Sequence, residues 1–340
     1  MALFLLYAVA VLLTLWASAA LYIDLRLPSI KHLAGISYAL LVIFLAARAS
    51  THLQRLLICS AAFAIVLIWW LQLKPSNDRP WQPDVVKMPW AEIQGDHVTL
   101  HNFRFCHYRA EFDYTCEWLT KSLDLSQIRG LDLAMTYWGS PYIAHPILSF
   151  WFGDDQYVAV SIETRKEIGE GYSAILGFFR QYELIYVFAD ERDLIELRTN
   201  YRKGEEVYLF HTTASPEWAR QLFLEYLERA NQLRTHPKWY NALTRNCTTV
   251  IFRSMADIGR LPPGTSLHNW RVILNGRGDE MLYQGGNLEG SLPFPELKES
   301  AHINAAAREA GDSADFSRRI RLGRPGFEFV ETGGVDGKTH

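Results

Sequence analysis

Ala2 to Ile23 run 22 positions without a charged side chain, followed by uncharged runs of 15 at Leu33–Ala47 and 18 at Leu56–Leu73. Nothing constrains the fold of this chain more. A segment crossing hydrocarbon must satisfy its own N–H and C=O groups, and a helix of about 20 apolar residues does so. These runs predict helices over about 2–23, 31–48 and 56–73, the middle one extended by Lys31 and His32 snorkelling to the interface. A cleaved signal peptide is the alternative for the first run. It lacks a basic amino-terminal region, exceeds the usual apolar length and is followed by two more runs, which favours a retained three-helix anchor. Three spans put the amino terminus and the rest of the chain on opposite sides of a membrane. Charge does not orient them, because Arg26 and Lys31 in one loop balance Arg48 and Arg55 in the other.

Residues 74–90 carry Pro75, Pro80, Pro83 and Pro89, the composition of a stiff tether. Residues 91–312 read as one α+β domain with a mainly antiparallel sheet. Alternation covers Ala91–Leu123 and Ile128–Trp138, and Ile143–Phe152 and Tyr157–Thr164 flank Gly153-Asp154-Asp155 as a hairpin. Leu184–Ala189 and Glu206–His211 are further strands. Helices are expected from Tyr172, from Ser215-Pro216-Glu217 to about Leu233, after Asn246, and over Ala301–Ala310. Residues 313–340 lack clear periodicity, above all from Gly323, and read as a mobile tail. The net charge of −3 says little by itself, and with no basic stripe no nucleic-acid partner is expected.

The four cysteines differ in context. Cys59 lies inside the third apolar run as a small packing residue. Cys106 and Cys116 flank Ala110-Glu111-Phe112 symmetrically, the spacing of facing positions on a hairpin; bonded they would mark an extracytoplasmic domain, unbonded they are two half-buried thiols. Cys247 follows Asn246 and opens a stretch with Val250, Ile251, Met255 and Ile258 at helical spacing. Asn246 is a natural N-cap, which puts the thiol in the first turn, where the helix dipole favours thiolate. That is the address of a nucleophile rather than of a core cysteine.

A thiol nucleophile needs a base and a group to orient it. His97 and His101 are too far apart on a strand to share a metal; with Cys106 and His107 nearby a site is conceivable, but no metal is expected. His211, His236 and His268 sit in turn-like surroundings and read as surface residues. His145 heads an otherwise apolar strand and is the best base. Glu163, on the returning strand, is the best orienting group chemically. A two-residue turn between Gly153 and Gln156 would instead set Thr164 opposite His145, and a single bulge would restore Glu163. The Cys247 N–H is one candidate oxyanion donor, with Asn246, Tyr137 and Tyr142 as candidates for a second. His302 is the alternative base, in the Cys-before-His order of papain.

Several stretches together resemble the periplasmic domain of the Lnb family, whose namesake is a lipoprotein N-acyltransferase. They are Tyr137-Trp138-Gly139-Ser140-Pro141 into Ile143-Ala144-His145, then Ser161-Ile162-Glu163-Thr164-Arg165-Lys166-Glu167. Gly177-Phe178-Phe179-Arg180-Gln181-Tyr182-Glu183-Leu184, Arg198-Thr199-Asn200-Tyr201, Trp239-Tyr240-Asn241 and Asn246-Cys247-Thr248-Thr249 complete the set. More distantly, the domain is similar to circularly permuted papain-like enzymes of the NlpC and lecithin–retinol acyltransferase type, which place a strand His before an Asn-Cys at a helix start. The resemblance implies thiol acyl chemistry with His145 and Cys247 in the matching positions, and a domain facing the periplasm from the inner membrane. Cys106 and Cys116 are not part of that family's pattern.

The expectation is therefore a membrane-anchored cysteine acyltransferase without a cofactor. A phospholipid would be the acyl donor and the amino terminus of a lipoprotein the acceptor. A cell-envelope peptidase or amidase with the same Cys-His dyad is the first rival, and a non-catalytic envelope scaffold the second. Trp138, Phe178 and Phe179 are aromatics that could meet lipid, with core packing as the ordinary alternative.

Overall fold

A computed structural model describes residues 1–331 except 28, 264 and 267–274. The described residues form two compact units. The first comprises Met1–Ser76, Gly171–Glu183 and Trp239–Ala242, and the second takes the remainder.

In the first unit the apolar runs are helices α1 (Ala2–Asp24), α2 (Lys31–Arg48) and α3 (His52–Gln72), each long and apolar enough to cross a membrane. The third starts four residues earlier than hydropathy alone suggests. Thr51 and Gln54 form a capping box there, satisfying two amide donors at the helix start so that the helix can begin at His52. α1 buries a stripe of small residues, Ala10, Thr14, Ala17 and Ala20. At Gly35 the backbones of α1 and α2 approach closely: Ser18 Oγ donates to the Gly35 carbonyl at 2.7 Å, and a Cβ on Gly35 would lie 2.9 Å from Tyr22 Cβ. Close backbone approach through small residues is how helices associate where lipid removes the hydrophobic drive. Gly171–Glu183, expected to begin a helix, instead makes one 3₁₀ turn at Leu176–Phe178. The Gly177 carbonyl is taken by the Ala242 N–H at 2.8 Å rather than by a following helical turn.

The second unit is mixed α+β. Its strands are β1 (Trp90–Gln94), β2 (His97–Ala110), β3 (Asp113–Asp124), β4 (Gly130–Trp138), β5 (Ser140–Trp151), β6 (Tyr157–Arg165), β7 (Glu183–Ala189) and β8 (Glu205–His211). Among the described residues they form one sheet of order β1-β2-β7-β6-β5-β4-β8, with β3 on β2. The β1–β2, β2–β3, β4–β5, β5–β6 and β4–β8 pairings are antiparallel, and the short β2–β7 pairing is parallel. Cys106 lies directly opposite Cys116 across β2 and β3, and their sulfurs are bonded. The helices include α4 (Glu191–Glu196), α5 (Pro216–Thr235) and α6 (Cys247–Asp257). One face of the sheet packs Phe150 against Phe223 and Tyr226 of α5. The other buries Ala134, Ile147, Ala159, Ile185 and Val207 with Ile303, Ala307, Phe316, Ile320 and Phe327.

That second core differs from two sequence expectations. The proline-rich segment 74–90 packs Trp81 and Val85 into it, and residues 313–327 contribute Phe316, Ile320 and Phe327. Sparse apolar residues in an irregular segment lack the periodicity that would reveal them in the sequence, yet each removes a large apolar surface from water. Residues 332–340, the rest of the expected tail, lie outside the described residues.

Candidate active site

α6 begins where its cap residue dictates. Asn246 is in extended conformation; its Oδ1 accepts the Thr249 N–H at 2.8 Å, and Thr249 Oγ1 accepts the Asn246 N–H at 2.9 Å. This reciprocal box fixes Cys247 as the first helical residue. Asn246 is thus the helix cap, its side-chain oxygen committed to Thr249. The thiol is buried, 5% exposed, and hydrogen-bonds the His145 imidazole.

His145 is presented by β5. The β5–β6 register runs from Trp151↔Tyr157 to Ile147↔Ser161. The expected two-residue turn is replaced by a longer one. Gly153, Asp154 and Asp155 all have positive φ, and the Phe152 N–H closes on the Gln156 carbonyl. The extra residue shifts the pairing by one, so that carried two positions further it brings Glu163, not Thr164, level with His145. The pairing ends at Ile147, one residue short of Pro146, which has no N–H to donate.

His145 Nε2 lies 2.6 Å from Ser161 Oγ and 3.3 Å from Glu163 Oε1. Ser161 gives its one hydroxyl proton to Glu163 Oε1 at 2.6 Å, so its oxygen accepts from Nε2–H. Nδ1 is then the nitrogen left for the thiol. Arg198 Nη2 donates to the same Glu163 oxygen at 2.7 Å, and Arg198 Nη1 reaches Glu205 at 3.5 Å. Arg198 is delivered by a π-helical turn, Leu197–Tyr201, that follows α4. The extra residue in such a turn redirects side chains, which is why these turns gather at functional sites.

The electrostatics follow from these contacts. Burial opposes an imidazolium at His145, but the Glu163 carboxylate and the Cys247 sulfur outweigh it and raise its pKa to about 9. Burial likewise opposes a thiolate, yet His145 beside it takes the Cys247 pKa below the usual thiol value. Glu163 sits well below the usual carboxylate range; burial alone would raise it, and His145 with Arg198 reverses the sign. Both directions favour a thiolate beside an imidazolium, and groups this close titrate as a pair. Such a pair can attack an ester or amide carbonyl and then protonate the leaving group.

A cavity of about 410 Å³ adjoins this group, within the range of small-molecule sites. One wall is Leu131, Leu133 and Met135 of β4 with Pro146 and Leu148 of β5, alternate residues on one sheet face. The other is Thr248, Ile251, Phe252 and Met255 of α6, spaced three, four and seven residues apart. Thr248 joins cavity to thiol, its Oγ1 being 3.9 Å from Sγ.

Other sequence candidates are placed elsewhere. His302 Nε2 lies 2.6 Å from Glu206 of β8, and the imidazole that hydrogen-bonds the thiol is that of His145. Tyr137 is buried and donates to the Gly276 carbonyl at 3.2 Å, while Tyr142 is exposed. His101 stacks on Trp90, and His107 faces Glu117 at 3.8 Å. His211 is not a surface residue; its Nδ1 lies 2.6 Å from the buried Asp132. His268 and His340 lie outside the described residues. Ser161 and Arg198 had no assigned role in the sequence reading. Ser161, two residues before Glu163 on the same strand face, was findable by alternation. Arg198 was not, because its reach depends on the π turn.

Residues 114–276 match the model of the Lnb N-terminal periplasmic domain. No curated protein and no solved structure matches the chain. With the three apolar helices, this match makes the chain an inner-membrane protein with a periplasmic domain.

Proposed function

We propose that this chain, whose residues 114–276 belong to the Lnb N-terminal periplasmic domain family, is a cysteine acyltransferase held in the membrane beside its substrates. The observation that carries the reading is the buried thiol paired with a histidine that a carboxylate, a serine and an arginine hold in one orientation. Structural cysteines do not need such support.

In the proposed cycle the Cys247 thiolate attacks the carbonyl carbon of a phospholipid acyl ester. The C–O bond breaks, and the leaving alkoxide takes its proton from the His145 imidazolium, leaving a thioester and a lysophospholipid. An amine, that of a lipoprotein amino terminus, then attacks the thioester while His145 accepts its proton; the amide forms and the thiolate returns. Glu163, Ser161 and Arg198 act on His145 as positioning residues. The apolar cavity that approaches Sγ through Thr248 favours an acyl chain over a peptide as the group transferred. Anchoring in the bilayer raises the effective concentration of donor and acceptor, both of which are membrane-bound. The arrangement of a strand His and a helix-start Asn-Cys also supports a permuted papain-like descent.

Mass spectrometry of lipoprotein amino termini tests the reading. Cells with the native chain should carry N-acylated termini, and cells with Cys247→Ala should not. Unchanged acylation would sink the transferase and leave the envelope amidase, whose signature is Cys247-dependent cleavage of envelope peptides. If neither acylation nor cleavage depends on Cys247, the non-catalytic scaffold is the surviving account.

A further inference from the structure

Gly171–Phe179 runs nine residues without a charge, and Tyr172, Ile175 and Phe178 within it are 47%, 68% and 40% exposed. Single exposed apolar residues are ordinary, but three on one short segment are not. The segment is also firmly built. The Tyr182 hydroxyl donates to the Gly171 carbonyl at 2.6 Å and accepts the Ser173 N–H at 3.1 Å. The N–H groups of Gly177, Phe178 and Phe179 close turns on Ser173, Ile175 and Leu176. Gly177 lies so near its neighbour that a Cβ there would be 3.2 Å from Ala242 Cβ. With the backbone held on that side, the apolar side chains have only the outer side to occupy.

Residues just beyond fasten the segment to the spans. The Arg180 N–H and Gln181 Nε2 both donate to Asp24 Oδ1, in the last residue of α1, at 3.1 and 2.7 Å. Arg180 Nη1 donates to the carbonyl of Leu73, just after α3, at 2.7 Å, and its guanidinium lies 4.3 Å from the centre of the Trp70 ring. Phe179 goes deeper, stacking on Trp16 and packing with Ala17, Ala20 and Val66. Trp16 is eight residues before the end of α1, which at 1.5 Å per residue is about 12 Å down the helix. The segment therefore begins at the polar end of the spans and dips below it.

We propose that Gly171–Phe179 is a membrane-seated loop, with Tyr172, Ile175 and Phe178 in the headgroup–acyl boundary of the bilayer that holds α1–α3. Lipid is the occupant because the helices to which the loop is bonded already stand in it. The surface beside them is hydrocarbon without recruitment of any partner. A belt of indole, guanidinium and carboxylate (Trp70, Arg180 and Asp24) marks the interface where the loop enters. The inference is independent of the chemistry at Cys247.

The test uses the full chain in phosphatidylethanolamine–phosphatidylglycerol vesicles. Cys59→Ala and Cys247→Ala remove the other free thiols, and an environment-sensitive nitrobenzoxadiazole dye is attached to Ala174→Cys or, separately, to Ile175→Cys. Two labelling positions, each checked for the circular dichroism of the unlabelled chain, guard against one variant failing to fold. The expected result is a blue-shifted emission, quenched about twofold by lipids spin-labelled high on the acyl chain and little affected by aqueous iodide. Quenching by iodide without an effect of spin-labelled lipid would overturn the proposal. So would protection from both quenchers, which would mean that protein covers the loop.

Discussion

The periplasmic domain buries two charge networks, one ending in Arg321 and the other in Cys247. In the first, Arg321 is fully buried and donates to Asp132 Oδ2 at 2.8 Å and to both Glu191 oxygens at 2.8 and 2.6 Å, 3.6 Å from the centre of the Tyr157 ring. Ser149 and His211 add bonds to Glu191 and Asp132. Burial alone would raise the Asp132 carboxyl, yet Arg321 and His211 hold it below its usual value. In the second network Arg198 and Ser161 converge on Glu163, which faces His145, which faces the thiol. Both networks are largely buried, and each sets carboxylates against a guanidinium. They differ in what the imidazole faces. In the first, His211 faces the Asp132 carboxylate, and the Arg321 guanidinium does not give up its proton; in the second, His145 faces the Cys247 thiol, a nucleophile once its proton has moved. Buried charge suits a reaction centre where the chain of partners ends in a nucleophile; the network around Arg321 instead fastens the carboxy-terminal segment to the sheet.

The sharpest test of this contrast is the pair Cys247→Ala and Arg321→Met. The first should cut N-acylation by a factor on the order of 10³ or more while leaving the melting transition in place. Arg321→Met should do the reverse. It takes the guanidinium away from two buried carboxylates, Asp132 and Glu191, and should cost about 3–5 kcal/mol in denaturant titration, while molecules still folded keep normal Cys247 alkylation. If folded Arg321→Met protein loses thiol reactivity, the two networks are coupled and the contrast fails.

A smaller effect is expected at Glu163. Removing its charge in Glu163→Gln lowers the His145 pKa, weakens the thiolate's partner, and moves the alkylation midpoint up toward the ordinary thiol value. Each unit of that shift slows alkylation roughly tenfold at neutral pH. An unmoved midpoint would show that Glu163 does not set the charge on His145. In the native chain, alkylation should already be rapid below the usual thiol range, because the thiolate is stabilised while His145 is protonated. It should change again as pH rises through about 9, where the imidazolium is lost. A single step at the ordinary thiol value would contradict the ion pair.

The smallest effect is at the cap. Asn246→Ala should cost about 1 kcal/mol of stability by leaving the Thr249 N–H without its acceptor, with much of the alkylation rate retained. A large loss of reactivity without loss of stability would give Asn246 a direct part in the reaction.

Much of this was legible from residues close together in sequence. The three spans, the Asn246 cap and the helix that starts at Cys247 are local consequences of composition and spacing. His145 stood out because an imidazole at the head of an apolar strand has to be explained. Glu163 was only half legible. Its carboxylate singles it out, but its register depends on how many residues the turn at Gly153–Gln156 consumes, and positive φ at two aspartates is not written in an alternation pattern. The burial of Trp81 and of Phe316 to Phe327 was illegible for a related reason, since irregular segments carry no period to mark an inward face.

What the sequence determined by itself, then, is a chain that enters a membrane three times and offers one thiol at a helix start. Both follow from hydrophobicity and capping, which act within a few turns of chain. Only the tertiary structure decided that Nε2 of His145 is tied to Ser161 and Glu163, that Arg198 arrives from 35 positions beyond Glu163, and that an apolar cavity is lined by Thr248 beside the thiol. Those outcomes depend on register and on a π turn. A shift of one residue in either would send the same side chains to a different partner.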